Sequence, residues 1–123
     1  MPLTSFISRT VLCLGVFFSA STFAYDPEAG DIVFHTSRSA QSKAVQAATK
    51  SPYSHMGIVL IRDGKAVVFE AVQPVKYTPL KQWLDRGQGR RYVVKRLKQP
   101  LSAASVRKLH QAAERYEGKP NDL

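Results

Sequence analysis

One histidine and one glutamate occupy positions from which they could act together in catalysis. His55 precedes an apolar stretch, residues 56–61, and Glu70 lies within a second apolar stretch, residues 66–72. A carboxylate that accepts a hydrogen bond from one imidazole nitrogen fixes the tautomer of the ring. The other nitrogen is then free to take a proton from a nucleophile, as in serine and cysteine hydrolases. The pair therefore indicates half of a nucleophilic hydrolase site.

A purely structural polar contact is the main alternative for this pair, because ionic networks in proteins often have no catalytic role. His35 follows a short strand, where edge or cap packing explains it, and His110 lies beside the apolar stripe of a predicted helix. The histidines and acids do not show the spacing of the usual metal sites. The pattern therefore does not predict a metal centre.

The turn between the two apolar stretches decides whether the two side chains can meet. Asp63-Gly64 between apolar runs is a strong signal for a two-residue hairpin. In that register Gly57 lies opposite Glu70, and alternation puts His55 on the same face as Glu70, as a diagonal neighbour. A loop one residue longer would put the two side chains on opposite faces.

The remaining elements form a mixed layout around this hairpin. Residues 41–50 are rich in alanine and glutamine and predict a helix, and a second helix begins at Thr78, as N-cap, and ends at Gly87. Ser102 caps a last helix that runs to about residue 117. Strands are predicted at residues 32–34, 54–62, 65–72 and 92–97, with a loop at 73–77. Such an antiparallel sheet with flanking helices is typical of an α+β fold.

The length and the first residues bound the domain organisation and the location. The chain of 123 residues allows one domain, and residues 1–24 have the features of a signal peptide. Arg9 supplies the positive region, residues 11–18 are apolar, and residues 22–24 offer a cleavage site. A membrane anchor is the alternative, but the apolar run is short for a span. We expect an exported protein, periplasmic or secreted, whose mature part is residues 25–123.

The charge of the chain favours anionic partners. The formal net charge is +9, and only Arg9 among the charged residues lies in the first 24, so the rest carries +8. An exported protein of this charge can meet an anionic membrane surface or acidic envelope polymers. A solvated basic surface is the simpler alternative. The sequence carries no recognised nucleic-acid motif, so charge alone does not predict nucleic-acid binding.

Five short motifs occur along the chain: GDIVF at 30–34, SRS at 37–39, YSHMG at 53–57, FEA at 69–71 and VKYTPL at 75–80. Together they resemble one family, the permuted papain-like cysteine hydrolases of the YiiX/YaeF type within the NlpC/P60 superfamily. The resemblance implies a permuted papain-like fold, with His55 as general base and Glu70 as the residue that orients it. It also implies cleavage of amide or acyl bonds, in cell-envelope peptides or lipid-linked substrates, without a metal or an organic cofactor.

The nucleophile is where this sequence departs from the family pattern. In the family, the cysteine follows the histidine, on a helix beyond the segment that matches residues 118–120, whereas this sequence ends at Leu123. Cys13 lies in the predicted leader, on the wrong side of His55, and Ser54 points to the opposite face of the strand.

We therefore expect residues 25–123 to form the N-terminal portion of the domain, incomplete at its C-terminus. We also expect this portion to be inactive by itself and only marginally stable. The alternative function is a non-catalytic module whose basic surface binds an envelope component.

Overall fold

The computed structural model describes residues 25–121, and the leader predicted for residues 1–24 lies outside that range. The described elements are strands β1 (Ile32–His35), β2 (His55–Arg62), β3 (Lys65–Glu70), β4 (Lys76–Pro79) and β5 (Tyr92–Lys95), helices α1 (Ser42–Thr49), α2 (Leu80–Arg86) and α3 (Ala103–Tyr116), and a short 3-10 turn at Gln88–Arg90. The strands form one antiparallel sheet in the order β4-β3-β2-β1-β5. The α+β class is confirmed.

The β2–β3 hairpin has the register that the sequence predicts. Ile58 pairs with Phe69, and the pairing runs without interruption to the turn. Asp63 and Gly64 have φ values of 50° and 71°, the left-handed conformations that a two-residue hairpin turn of this type requires. Because the register is fixed, the side chains of the two strands alternate between the faces as expected.

Gly57 allows β2 and β3 to approach closely next to the predicted site. A Cβ atom on Gly57 would lie 2.2 Å from Cγ1 of Val68 and 3.1 Å from the backbone oxygen of Phe69. The branched Val68 side chain has little freedom to move away. The glycine that follows His55 and Met56 is therefore a packing requirement of this hairpin.

The core lies between the sheet and α2. Trp83 is fully buried at its centre, and one face of the sheet packs against it. The buried residues of this cluster are Val33, Val59, Val68, Leu80, Trp83 and Leu84. Burying each of the aliphatic side chains stabilises the fold by about 1.5–3 kcal/mol. This packing holds α2 over the sheet face that carries His55 and Glu70.

The sequence predicts a loop at residues 73–77 and a helix that begins at Thr78 as its N-cap, and this prediction was wrong. Residues 76–79 form β4, and α2 starts at Leu80, so Thr78 does not cap the helix. Thr78 instead pairs with Val68 in the sheet, and its hydroxyl donates a hydrogen bond to Glu70. The edge of β3 provides backbone partners for this segment, which a local reading of turn and cap residues does not reveal. β3 also ends at Glu70 instead of residue 72.

The Gly-Asp motif before β1 has a structural role. The Asp31 side chain is buried and accepts hydrogen bonds from Nε and Nη2 of Arg96, each at 2.8 Å. Tyr25 also donates to it. Burial would raise the pKa of Asp31, but the hydrogen bonds from Arg96 and Tyr25 lower it below its ordinary value. This ion pair ties the residue before β1 to the residue after β5.

Helix α3 begins at the cap residue that the sequence predicts. Ser102 caps α3 as predicted, and its side chain accepts a hydrogen bond from the Ser105 amide at 3.1 Å. In residues 25–121, none of the helices has the length and apolar character needed to cross a bilayer.

Candidate active site

His55 and Glu70 are in direct contact. Nε2 of His55 lies 2.7 Å from Oε2 of Glu70. His55 is the first residue of β2 and Glu70 the last of β3, so the hairpin register brings them together on one face. The glutamate side chain is fully buried, whereas about a fifth of the histidine side chain is exposed. The predicted geometry of the pair is confirmed, and its catalytic role stays a prediction.

The buried carboxylate receives three further donors. Oγ1 of Thr78 donates to Oε1 at 2.6 Å, and Nε1 of Trp83 donates to Oε2 at 2.9 Å. Nη2 of Arg86 lies 2.7 Å from Oε1 and 2.6 Å from Oε2. These groups come from β4 and α2, so the sheet and the helix on it together build the surroundings of Glu70.

The donors determine the charge of Glu70. Burial would raise the pKa of the carboxyl group, but the hydrogen bonds from His55, Thr78 and Arg86 outweigh it and lower the pKa to about 2. Glu70 is therefore a carboxylate at neutral pH. A carboxylate in this position accepts a hydrogen bond from the Nε2 proton of a neutral His55 and fixes the ring.

His35 belongs to the site, so the prediction of edge or cap packing was wrong. β1 lies between β2 and β5, inside the sheet, and its register places His35 opposite His55. The His35 ring stacks on Trp83 with 4.0 Å between centroids and 7° between planes, and lies 5.4 Å from the His55 ring. The strand pairing that decides this is non-local, and no local pattern at residue 35 predicts it.

His35 is held in the neutral form. Burial is the main cause, and the nearby His55 and Arg86 add to it, so the pKa of His35 falls to about 4. Its Nδ1 is buried and has no hydrogen-bond partner among the described residues. Gly87 packs against this ring, since a Cβ atom there would lie 3.1 Å from Nδ1.

A cavity of about 1050 Å³ opens beside the pair. His55, His35 and Arg86 line it, together with apolar side chains that include Phe34 and Met56. Nδ1 of His55, the nitrogen that does not face Glu70, has no hydrogen-bond partner in the described part of the chain. A reacting group in this cavity would meet an imidazole nitrogen that can accept a proton.

Ser54 lines the cavity, but its hydroxyl is held by hydrogen bonds. The Ser54 hydroxyl accepts hydrogen bonds from the Ser37 amide at 2.8 Å and from the Ser42 hydroxyl at 2.6 Å, so it belongs to a serine network beside α1. His110 is partly buried on α3 and does not line the cavity.

The comparisons with known proteins decide the family. The family model described as "Permuted papain-like amidase enzyme, YaeF/YiiX, C92 family" matches residues 26–123. The chain belongs to this family. Its fold, an antiparallel sheet with flanking helices, also agrees with the solved structure of a related protein.

Two proteins of Escherichia coli are similar to this member of the family. "Uncharacterized protein YiiX" of strain K12 is 53% identical over 117 residues, which cover 95% of this chain and 58% of that protein. A solved structure from strain O157:H7, "Crystal structure of metalloprotein yiiX", contains a chain that is 55% identical to this one and superposes with a TM-score of 0.77. The match covers 80% of this chain and 54% of that chain. The chain thus spans little more than half the length of these relatives.

Sequence reasoning missed Arg86, Thr78 and His35 as parts of the site. The sequence contained a signal for Arg86, since it follows Trp83 by three residues on a predicted helix, and residues so spaced share a helix face. Thr78 was assigned to the helix cap, which hid its contact with Glu70. The contacts of these residues with the site depend on the packing of α2 against the sheet and on the pairing of the strands.

Proposed function

We propose that this chain carries the general base and the orienting acid of a cysteine-dependent amidase. The observation that carries the proposal is the 2.7 Å contact between His55 and the buried Glu70 at the wall of a cavity, in a chain of an amidase family. The geometry supports these roles because one imidazole nitrogen is held and the other is free.

The reaction follows from this arrangement. Nδ1 of His55 takes the proton of a thiol, and the thiolate attacks the carbonyl carbon of the substrate. The carbon–nitrogen bond breaks as the imidazolium gives its proton to the leaving amine. A water molecule then cleaves the thioester, losing a proton to the same ring, and the thiol is restored. Glu70 stabilises the imidazolium in both half-reactions without taking its proton.

The thiol is the component of this mechanism that residues 25–123 do not supply. Residues 25–123 contain no cysteine. We place the nucleophile in a segment outside these residues, after His55 in the order of the family, so that residues 25–123 by themselves have no thiol-dependent activity. The length of the relatives, of which this chain covers about half, leaves room for such a segment.

The substrate class and location are part of the same proposal. The cavity combines apolar side chains with a few polar groups, which suits a peptide or a lipid-linked amide of the cell envelope. The leader features in residues 1–24 support export to the periplasm or the cell exterior.

A metal ion has no step in this mechanism. The related crystal structure from E. coli O157:H7 is described as that of a metalloprotein. Within residues 25–121, no three His, Cys, Asp or Glu side chains are grouped as metal ligands. The Glu70 oxygens already accept four donors. Residues 25–121 by themselves therefore do not fit a metal centre.

A hybrid chain tests the proposal. We join residues 1–121 to the part of E. coli YiiX that this chain does not cover, and assay release of amine from a panel of acyl-peptide amides. We expect hydrolysis that iodoacetamide abolishes, a loss of at least about 100-fold in His55→Ala, and no such loss in the control His110→Ala. The 123-residue chain should show no thiol-dependent hydrolysis. Full activity in the folded His55→Ala hybrid would refute the assignment of the base.

A non-catalytic binding module is the second candidate, favoured by the exposed basic side chains of α3 and the residues after it. These are Arg107, Lys108, Arg115 and Lys119. Such a surface could hold the protein on an anionic membrane or an acidic polymer of the envelope. Binding without hydrolysis, in a chain that already has its cysteine segment, would favour this candidate over the amidase.

A further inference from the structure

We propose that Arg86 is a positioning residue of the candidate site: its positive charge compensates the buried Glu70 carboxylate, so that His55 need not supply that charge as an imidazolium and can accept a proton. The inference rests on the proposed function, because it assigns Arg86 a role in preparing the base. It does not require Arg86 to touch the substrate.

The contact between Arg86 and Glu70 has an uncommon form. One guanidinium nitrogen, Nη2, lies 2.7 Å from one carboxylate oxygen and 2.6 Å from the other. Paired guanidinium and carboxylate groups often use two nitrogens in parallel instead. A single nitrogen that bridges both oxygens acts mainly as a point charge, which is a property that lysine shares.

The burial of the two partners differs. The Glu70 side chain is fully buried, whereas 39% of the Arg86 side chain is exposed at the end of α2. The carboxylate has therefore lost its contact with water, while the guanidinium keeps part of its hydration. A buried carboxylate is strongly disfavoured unless a positive charge and hydrogen bonds compensate it.

The other donors to Glu70 cannot supply that charge without cost to catalysis. Thr78 and Trp83 are neutral donors. His55 could supply it only as an imidazolium, and an imidazolium cannot accept the proton of a nucleophile. Arg86 thus provides the compensating charge from a residue that is always protonated.

The charged and titratable groups around the pair leave this role to Arg86. On β1, His35 is held neutral by burial. On β4, Lys76 pairs with Glu70 in the register but is exposed and makes no hydrogen bond to it. On α2, Asp85 pairs with Lys81. Among the described residues, Arg86 is the permanently charged cation in contact with Glu70.

An NMR titration of the full chain tests the inference without any turnover. The chain is labelled with carbon-13 at glutamate and nitrogen-15 at histidine, and spectra are recorded from pH 2 to pH 8. In Arg86→Gln we expect the midpoint of the Glu70 carboxyl signal to rise by about one to three pH units. We also expect the His55 ring nitrogens at pH 7 to move toward imidazolium shifts.

Two further variants separate charge from structure. Arg86→Lys keeps the positive charge and offers one nitrogen. The titration midpoint of Glu70 in this variant should therefore stay within about half a pH unit of the wild-type value, a smaller change than the one expected when the charge is lost. Lys81→Gln removes the same charge from the outer face of α2 and should leave both signals unchanged. If Arg86→Gln does not fold, the comparison between Arg86→Lys and the wild type carries the test.

Three results would overturn the inference. They are a wild-type Glu70 midpoint in folded Arg86→Gln, an Arg86→Lys midpoint in the ordinary range of a glutamate, and an equal effect of Lys81→Gln. An inactive hybrid enzyme would sink the proposed amidase function but leave these signals as they are. The failure of one proposal is therefore distinguishable from the failure of the other.

Discussion

At the scale of single residues, the site depends on one buried carboxylate and one neutral buried imidazole. Glu70 is ionised because its hydrogen bonds outweigh the cost of burial. His35 is neutral because burial disfavours its cationic form next to His55 and Arg86. Both groups resist protonation in the folded state more than in the unfolded chain. Both therefore make the fold less stable as the pH falls.

These two groups predict acid destabilisation in two successive pH windows that overlap slightly near pH 4. The pKa of His35 is about 4 in the fold against an ordinary 6.5, so stability falls between about pH 6.5 and pH 4. The pKa of Glu70 is about 2 against 4.5, so a further loss on the order of 3 kcal/mol occurs between about pH 4.5 and pH 2. We would measure urea unfolding of the full chain at a series of pH values.

Matched variants assign each window. His35→Gln should reduce the loss of stability in the upper window, and Glu70→Gln should reduce it mainly in the lower window, where Asp31 also contributes. His110→Gln serves as the control, because His110 lies on α3 outside the cavity. Stability profiles of His35→Gln and Glu70→Gln that run parallel to the wild type would contradict the assignment.

At the scale of elements, the β2–β3 hairpin positions the candidate catalytic pair and α2 completes its surroundings. The Asp63-Gly64 turn was recognised from the sequence, and its register was confirmed down to Ile58 and Phe69. β4 was not recognised, because Thr78-Pro79 has the residue types of a helix start. Residues 76–79 become a strand because β3 offers them backbone partners, and this takes Thr78 to Glu70.

The close approach of β2 and β3 at Gly57 predicts a specific loss of stability. Gly57→Ala places a methyl group 2.2 Å from the Val68 side chain, and overpacking of this kind costs about 1–3 kcal/mol. Val68→Ala by itself should also destabilise the core, since Val68 is fully buried.

The double variant Gly57→Ala/Val68→Ala is the informative measurement. Alanine at position 68 makes room for the methyl group added at position 57. The free energy of unfolding of the double variant should therefore be higher than the sum of the two single losses predicts. Additive losses in urea unfolding would show that Val68 does not restrict position 57.

At the scale of the whole molecule, acidic and basic side chains differ in their exposure to solvent. The acids Glu70 and Asp31 are buried and paired within the protein, whereas many basic residues remain exposed. The surface therefore carries much of the net positive charge of the chain. A surface of this kind attracts anionic partners over a distance that added salt shortens.

This surface predicts salt-sensitive binding to anionic vesicles. The full chain should sediment with phosphatidylglycerol-containing vesicles in about 50 mM salt and be largely released in about 500 mM salt, while vesicles of phosphatidylcholine alone serve as the control. Arg107→Glu/Lys108→Glu reverses two exposed charges on α3 and should weaken binding by at least about 30-fold. Equal binding to both vesicle types, or binding that ignores salt, would count against the proposed anionic partner.

The sequence by itself determined the α+β class, the hairpin and the His55–Glu70 pair. These depend on local rules: a two-residue turn fixes the register, and strand alternation fixes the face. Only the tertiary structure decided that His35 stacks on Trp83 and that Arg86 and Thr78 surround Glu70. Those contacts join residues of β1, β3, β4 and α2, whose pairing depends on burial and backbone partners supplied by distant segments. A local sequence pattern does not reveal which distant segments will supply these partners.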